Sequence, residues 1–300
     1  MHIMNMSKKK FESLKTLPLE DNIFNTEAKM YVFNEKNGWG GRWFVLKCLF
    51  NDIGTVFSNK LYTVNELIDR KNEIAIDELV MPEKLVCVDE KIVGFTLPLI
   101  NSINFQTILD SPQVSNKEKV EYFKQIGIIL EKIKNVRTYT SLNDFYLNDL
   151  HENNFVLNND TGKINVVDMD SCKINGNIPF GSRYLSPMSK IGDVSKYKKF
   201  NKSICCEVFE ISENTDYYCY MVMILNYLYG GKITNLSIDE YYDYLEYLRS
   251  IGVSSELINA FYLIYEEKNN INPYECLDSL SYIDGRTNYR VYEHVRKKNK

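Results

Sequence analysis

The 300-residue chain contains no apolar run near the roughly 18–20 residues that a membrane-spanning helix needs. The longest candidate, residues 221–228 (MVMILNYL), is interrupted by Asn226 and followed by Gly230, so no membrane is expected as a partner. An excess of positive charge is also missing. Lys and Arg number 36 against 40 Asp and Glu, a formal charge of −4, which leaves no global field to recruit nucleic acid. Metal-binding cysteine spacing is absent: none of the seven cysteines forms a C-x-x-C pair, Cys205 and Cys206 are adjacent, and His2, His151 and His294 are scattered. Reduced, partly buried thiols are the expected state, with no zinc site. Residues 1–10 are basic with no apolar stretch behind them, unlike a secretory signal, so a cytoplasmic location is expected. There is neither an internal repeat nor a low-complexity tract. Hydrophobic residues at 44% and charged residues at 25% are those of a folded chain.

What is present is a strand-rich beginning and a helical remainder. Residues 1–20 are polar and lysine-rich, a frayed or loosely helical lead-in. Residues 29–34 (KMYVFN) and 43–50 (WFVLKCLF) read as strands around turn chemistry at 37–41 (NGWGG). Lys47 falls inside the second apolar run, where a lysine must snorkel or meet an anion. Over 61–80 the period becomes helical, with Leu61, Val64, Leu67 and Ile68 on one face and Pro82 closing the helix. Strands follow at 84–88 and 91–96. Val120, Phe123, Ile126, Gly127, Leu130 and Ile133 then mark a helix over 117–135, and further helices are predicted over 216–229, 238–250, 255–265 and 273–279. Tyr241, Tyr242, Tyr244 and Tyr247 read as packing of an amphipathic helix. The fold class is α+β, dividing near residue 100 into a lead-in (1–20), a smaller strand-rich part (21–100) and a larger helical part (101–300).

The stretch 146–174, YLNDLHENNFVLNNDTGKINVVDMDSCKI, carries the most chemistry. Strands over 155–158 and 163–167 flank a turn at 159–162. A polar loop, 148–154, precedes the first strand, and Asp168 and Asp170 follow the second. Acidic and amide groups at both ends of a hairpin offer oxygen ligands from two sides of one point. A hard cation such as Mg²⁺, held jointly by protein and phosphates, requires such an arrangement.

These residues resemble the protein-kinase superfamily. Asp149-Leu150-His151-Glu152-Asn153-Asn154 matches the D-L-x-x-x-N core of its catalytic loop, and Asp168 stands where the metal-binding Asp of DFG does. Val45-Leu46-Lys47 resembles the V-A-I-K strand. Residues 181–187 (GSRYLSP) resemble the end of an activation loop, and 216–232 resembles a helix of the large lobe. The likeness is greatest to bacterial eukaryotic-like kinases with a D-x-D-S element, here Asp168-Met169-Asp170-Ser171. It implies a bilobal protein-kinase-like fold: a small antiparallel β-sheet lobe with one helix (21–100) that binds nucleotide, and a larger, mostly helical catalytic lobe (101–300). It further implies an ATP- and Mg²⁺-dependent phosphotransferase acting on Ser or Thr hydroxyls of a protein substrate. In that reading Lys47 holds the α- and β-phosphates. Its partner is a glutamate of the small-lobe helix: Glu73 is preferred on the family's spacing into the next strand, and Glu66 stays open. Asp149 orients the attacking hydroxyl, Asn154 and Asp168 hold metal, and His151 donates to the γ-phosphate where protein kinases usually carry lysine. Residues 95–100 (FTLPLI) fit the adenine-binding hinge, with Leu97 as gatekeeper, Pro98 offering its carbonyl and Ile100 its amide. Val156, on the strand after the loop, completes the nucleotide-contacting set.

The chain also departs from that family. No glycine occurs in 21–33, where a phosphate-covering loop would lie. Leu147-Asn148 replaces the His-Arg before the catalytic Asp, Asp170 replaces the DFG glycine, and Met188 stands in place of a glutamate. Asp170 reads equally as a ligand or as a solvated or supporting carboxylate. The departures at the loop and at Met188 motivate a pseudokinase acting as an interaction module, and His151 motivates a small-molecule kinase. The sequence does not give an oligomeric state.

Overall fold

In the computed structural model, residues 2–16, 28–35, 42–49, 54–177, 211–268 and 271–283 are described. The class is α+β: a six-stranded sheet, a smaller sheet of three short strands, and helices. The chain divides into two units. The first comprises Met1–Ser102, Val136–Leu147 and Asn158–Phe180; the second comprises Ile103–Asn135, Asn148–Leu157 and Gly181–Lys300.

The first unit is built on the six-stranded sheet. Its strands are β1 (Ile3–Asn5), β2 (Lys15–Thr16), β3 (Ala28–Glu35), β4 (Arg42–Leu49), β5 (Lys84–Val88) and β6 (Lys91–Pro98), in the order β1-β5-β6-β4-β3-β2. Within 21–100 all pairings are antiparallel, as expected; the sheet is mixed because β1, from the lead-in, lies parallel to β5. The β-branched and aromatic residues of β3 and β4 pair in register, Phe33 opposite Phe44 and Met30 opposite Lys47.

Both faces of this sheet are covered, which explains why 43–50 reads as an unbroken apolar run instead of alternating. On one face Val45, Leu49, Phe95 and Leu97 pack with Val64 and Ile68 of helix α2 (Gly54–Asp69). On the other, Phe33, Phe44, Leu46 and Val86 pack with Met4, Met6, Phe11 and Leu14. Over residues 2–16 the lead-in is therefore not frayed, and the helical alternative holds only for part of it. Ile3–Asn5 forms strand β1, the helix α1 (Lys8–Glu12) follows, and their apolar residues seal the second face. The period of 2 along β4 puts Val45, Lys47 and Leu49 on the α2 side.

The helix expected over 61–80 starts earlier and stops sooner. After α2 ends at Asp69, a four-residue helix α3 (Lys71–Ile74) closes on Ala75, which adopts a left-handed conformation (φ 43°). The chain beyond it is extended: the Val80 amide donates to the Val166 carbonyl at 2.9 Å and the Val166 amide to the Glu78 carbonyl at 2.8 Å. Three short strands, β7 (Ser102–Asn104), β8 (Phe155–Asn158) and β9 (Lys163–Val166), form the smaller sheet in that order.

The second unit is helical: α4 (Phe105–Asp110), most of α5 (Asn116–Tyr139), α6 (Glu213–Tyr229), α7 (Ile238–Ser250), α8 (Ser255–Tyr265) and a 3₁₀ segment (Pro273–Tyr282). Helix α6 is buried on nearly every side, as expected of a central core helix. Tyr220 of α6 donates its hydroxyl to the Phe123 carbonyl at 2.5 Å. Gly127 of α5 makes room for Tyr274, whose Cβ lies 2.2 Å from where a side chain at 127 would begin. Among the described residues no helix is long and apolar enough to cross a membrane.

Candidate functional site

In the first unit, four charged side chains converge. Lys47 comes from the middle of β4, opposite Met30 on β3 and Phe95 on β6. Gly94 allows β6 to pass this close, because a Cβ there would meet the Lys47 carbonyl oxygen at 2.0 Å. The Lys47 ammonium is almost completely buried and pairs with Asp168 and, at 3.0 Å, with Asp170. Asp168 has left-handed backbone (φ 62°, ψ 47°) and opens the 3₁₀ turn Met169–Ser171, against which α2 packs. A non-glycine residue held in that conformation stores backbone strain, which collects at functional positions. Helix α2 brings the fourth group: the Lys60 ammonium lies 3.5 Å from each Asp170 oxygen.

Exposure distinguishes the two aspartates. The Asp168 side chain keeps 41% of its surface exposed, while that of Asp170 has none. Burial alone would drive Lys47 towards its neutral form, but the two carboxylates reverse this and hold its ammonium above the ordinary lysine range. For Asp168, desolvation raises the carboxyl, but the adjacent Lys47 outweighs it and the group sits below the usual range. Asp170 sits above it, because complete burial and the neighbouring Asp168 charge prevail over the two lysines. Two ammonium groups facing two carboxylates let charge be buried without leaving any member unpaired.

In the second unit, the polar loop is held from two helices. Asn148 adopts a left-handed conformation (φ 63°), and its amide donates to Oδ1 of the buried Asp216 on α6 at 2.8 Å. Asn104, which caps α4, donates from Nδ2 to the Asn153 carbonyl at 3.3 Å. Within the loop, Asn154 Nδ2 donates to the Asp149 carbonyl at 2.8 Å and to its Oδ2 at 3.4 Å. Asn154 is buried and its nitrogen is used inside the loop, which leaves Oδ1 as the atom suited to a cation. His151 caps the 3₁₀ turn Glu152–Asn154 by accepting the Asn153 amide on Nδ1 at 3.3 Å. Its neutral ring then carries hydrogen on Nε2, which lies 3.9 Å from Asp149 Oδ2. Val156 is buried on β8.

Neither glutamate expected to partner Lys47 does so. Glu73 lies on α3 beyond the end of α2 and accepts from Ser141 and Arg70. Glu66 accepts from Asn175 at 2.9 Å and lies 3.9 Å from Arg70. Asp170 holds Lys47 instead. Of the expected hinge, Leu97 is buried opposite Val45, Ile100 packs on the same core, and Pro98 ends β6 opposite Phe44. Residues 21–27, 181–187 and Met188 lie outside the described residues.

Sequence reasoning missed Lys60 and assigned no role to Asp170. A signal for Lys60 was present. With Val64 and Leu67 it forms an i, i+4, i+7 stripe whose other two members are fully buried. A lysine on an apolar stripe calls for an anion just as one in an apolar strand does.

Among the described residues no three His, Cys, Asp or Glu side chains converge as a metal cage. Asp168, in the first unit, and the Asn154 amide oxygen, in the second, are each a hard oxygen donor of the kind Mg²⁺ accepts. No protein-family model matches this chain, and no curated protein is significantly similar to it.

Proposed function

We propose that this chain is an ATP- and Mg²⁺-dependent phosphotransferase of protein-kinase-like bilobal fold, which transfers the γ-phosphate of ATP to Ser or Thr hydroxyls of a protein. The observation that carries this reading is the ion pair between Lys47 and Asp168, residues 121 apart in sequence. A strand lysine and the acid that ends a hairpin meet at a partly exposed carboxylate. Phosphoryl transfer asks little covalent chemistry of a protein; it asks for positioning and neutralisation of charge.

Lys47 neutralises the α- and β-phosphates. Asp168 and the Oδ1 of Asn154 would hold a Mg²⁺ ion, which when bound would supply neutralisation of phosphate charge. Asp149, its carboxylate oriented by Asn154, orients the substrate hydroxyl and accepts its proton. As the hydroxyl oxygen bonds to the γ-phosphorus, the bond to the β–γ bridging oxygen breaks and ADP leaves with that electron pair. His151 donates Nε2–H to a γ-phosphate oxygen.

Incubation of the purified chain with Mg²⁺ and γ-labelled ATP, beside an Asp149→Asn control, tests this. Label on protein that is lost in the control is the expected result. Thermal stabilisation by Mg·ATP without transfer would replace it with a nucleotide-binding pseudokinase. Turnover only with an added hydroxylated metabolite would replace it with a small-molecule kinase.

A further inference from the structure

The two aspartates on the turn after β9 divide their work by exposure. Asp168 reaches solvent and can meet a ligand. Asp170 is wholly withdrawn and lies between two ammonium groups, 3.0 Å from Lys47 and 3.5 Å from Lys60. A carboxylate so enclosed has no open side from which to bind substrate or cation; what it can do is fix the cations beside it. Lys60 comes from α2, and the turn carrying Asp170 packs on that helix. The chain of contacts therefore runs from helix through turn to strand within one unit.

This inference rests on the phosphotransferase reading. A cation held by Asp168 would compete with Lys47 for that carboxylate. The ammonium then needs another anion to keep it aimed at the phosphates. Neither Glu66 nor Glu73 is available for this, as each is engaged elsewhere. We propose that Asp170, clamped by Lys60, is the anchor that positions Lys47 for nucleotide, so that α2 contributes to the site through a cation rather than a carboxylate. Asp170 and Lys60 are positioning residues that act only through Lys47. The polarity has a physical basis: a buried carboxylate shared by two lysines stays paired when one lysine turns to a ligand, whereas a carboxylate with one partner does not.

The test is the affinity for Mg·ATP, measured by titration calorimetry on the full chain. Wild type is compared with Lys60→Met, Lys60→Arg and Asp170→Asn, and with Lys60→Met in a Lys47→Met background. Lys60→Met and Asp170→Asn are expected to weaken binding roughly tenfold or more, the usual size for residues that orient a ligand-binding group. Lys60→Arg, which keeps the charge, should stay near wild type. In the Lys47→Met background, Lys60→Met should cause no further loss; a merely structural role would weaken binding in both backgrounds. If Lys60→Met does not fold, the double variant Lys60→Met with Asp170→Asn removes both buried charges together and should show the same loss. Unchanged affinity in Lys60→Met, or an equal loss with Lys47 already removed, overturns the anchor while leaving the phosphotransferase reading standing. Wild type that does not bind Mg·ATP overturns both.

Discussion

Glu73 takes hydrogen bonds from the Ser141 hydroxyl at 2.6 Å, the Ser141 amide at 2.9 Å and Arg70 at 3.0 Å. The two Ser141 bonds, then the Arg70 charge, hold its carboxyl below the ordinary glutamate range. Because the folded-state value is depressed, the stabilisation is fully present above the unfolded value of about 4.3 and disappears as pH falls through the folded one. Glu73→Gln is therefore expected to lower stability near pH 7 and to cost progressively less as the solution is acidified towards pH 3. Urea unfolding of both proteins across that window checks it, and a pH-independent difference would remove the role. At this scale the sequence reading is most uneven. Lys47 is legible because one charge interrupts eight otherwise mostly apolar residues. Its partner is not, because the glutamate spacing is a property of chain distance, while the pairing is decided by which acid the fold buries beside it.

The elements themselves are more legible. Strands Lys84–Val88 and Phe155–Asn158 and helices Ile238–Ser250 and Ser255–Tyr265 lie where periodicity puts them. In the helices Ser237 and Ser254 cap the first turn, a local signal that needs no tertiary partner. The small-unit helix is misjudged because its apolar period continues past Asp69 into residues that are buried without being helical, such as Ile76, Leu79 and Val80. The junction offers a test. Ala75 ends α3 in the left-handed region and is exposed, so its methyl contributes no core packing. Relieving about 1–2 kcal/mol of left-handed strain outweighs the roughly 0.5–1 kcal/mol of extra chain entropy that glycine loses on folding. Ala75→Gly should thus raise stability by about 0.5–1 kcal/mol, read as a higher urea midpoint at unchanged slope. A lower midpoint would show that the methyl matters more than the backbone.

For the molecule as a whole, connectivity matters more than any boundary. Reading composition puts a division near residue 100, and the first unit does run to Ser102. It also takes in Val136–Leu147 and Asn158–Phe180. A fragment ending at residue 102 would keep Lys47 and Lys60 in its core but lose Asp168 and Asp170, and with them Val167 from the apolar cluster. Two buried ammonium groups with no acid are not tolerated. That fragment is expected to lack a cooperative unfolding transition, as followed by circular dichroism and urea, whereas the full chain shows one. A folded fragment would mean that the charge cluster is dispensable to the sheet.

Sequence alone determined the class, the course of most strands and helices, and the loop and hairpin that hold Asp149, Asn154 and Asp168. Each depends on residues close along the chain, where period, turn chemistry and capping act. Only the tertiary structure decided that the lysine-rich start seals one face of the sheet, that Asp170 is enclosed while Asp168 is not, and that Lys60 faces it from α2. Burial and charge pairing are settled by what lies alongside in space, and for Lys60 and Asp170 that neighbour is 110 residues away.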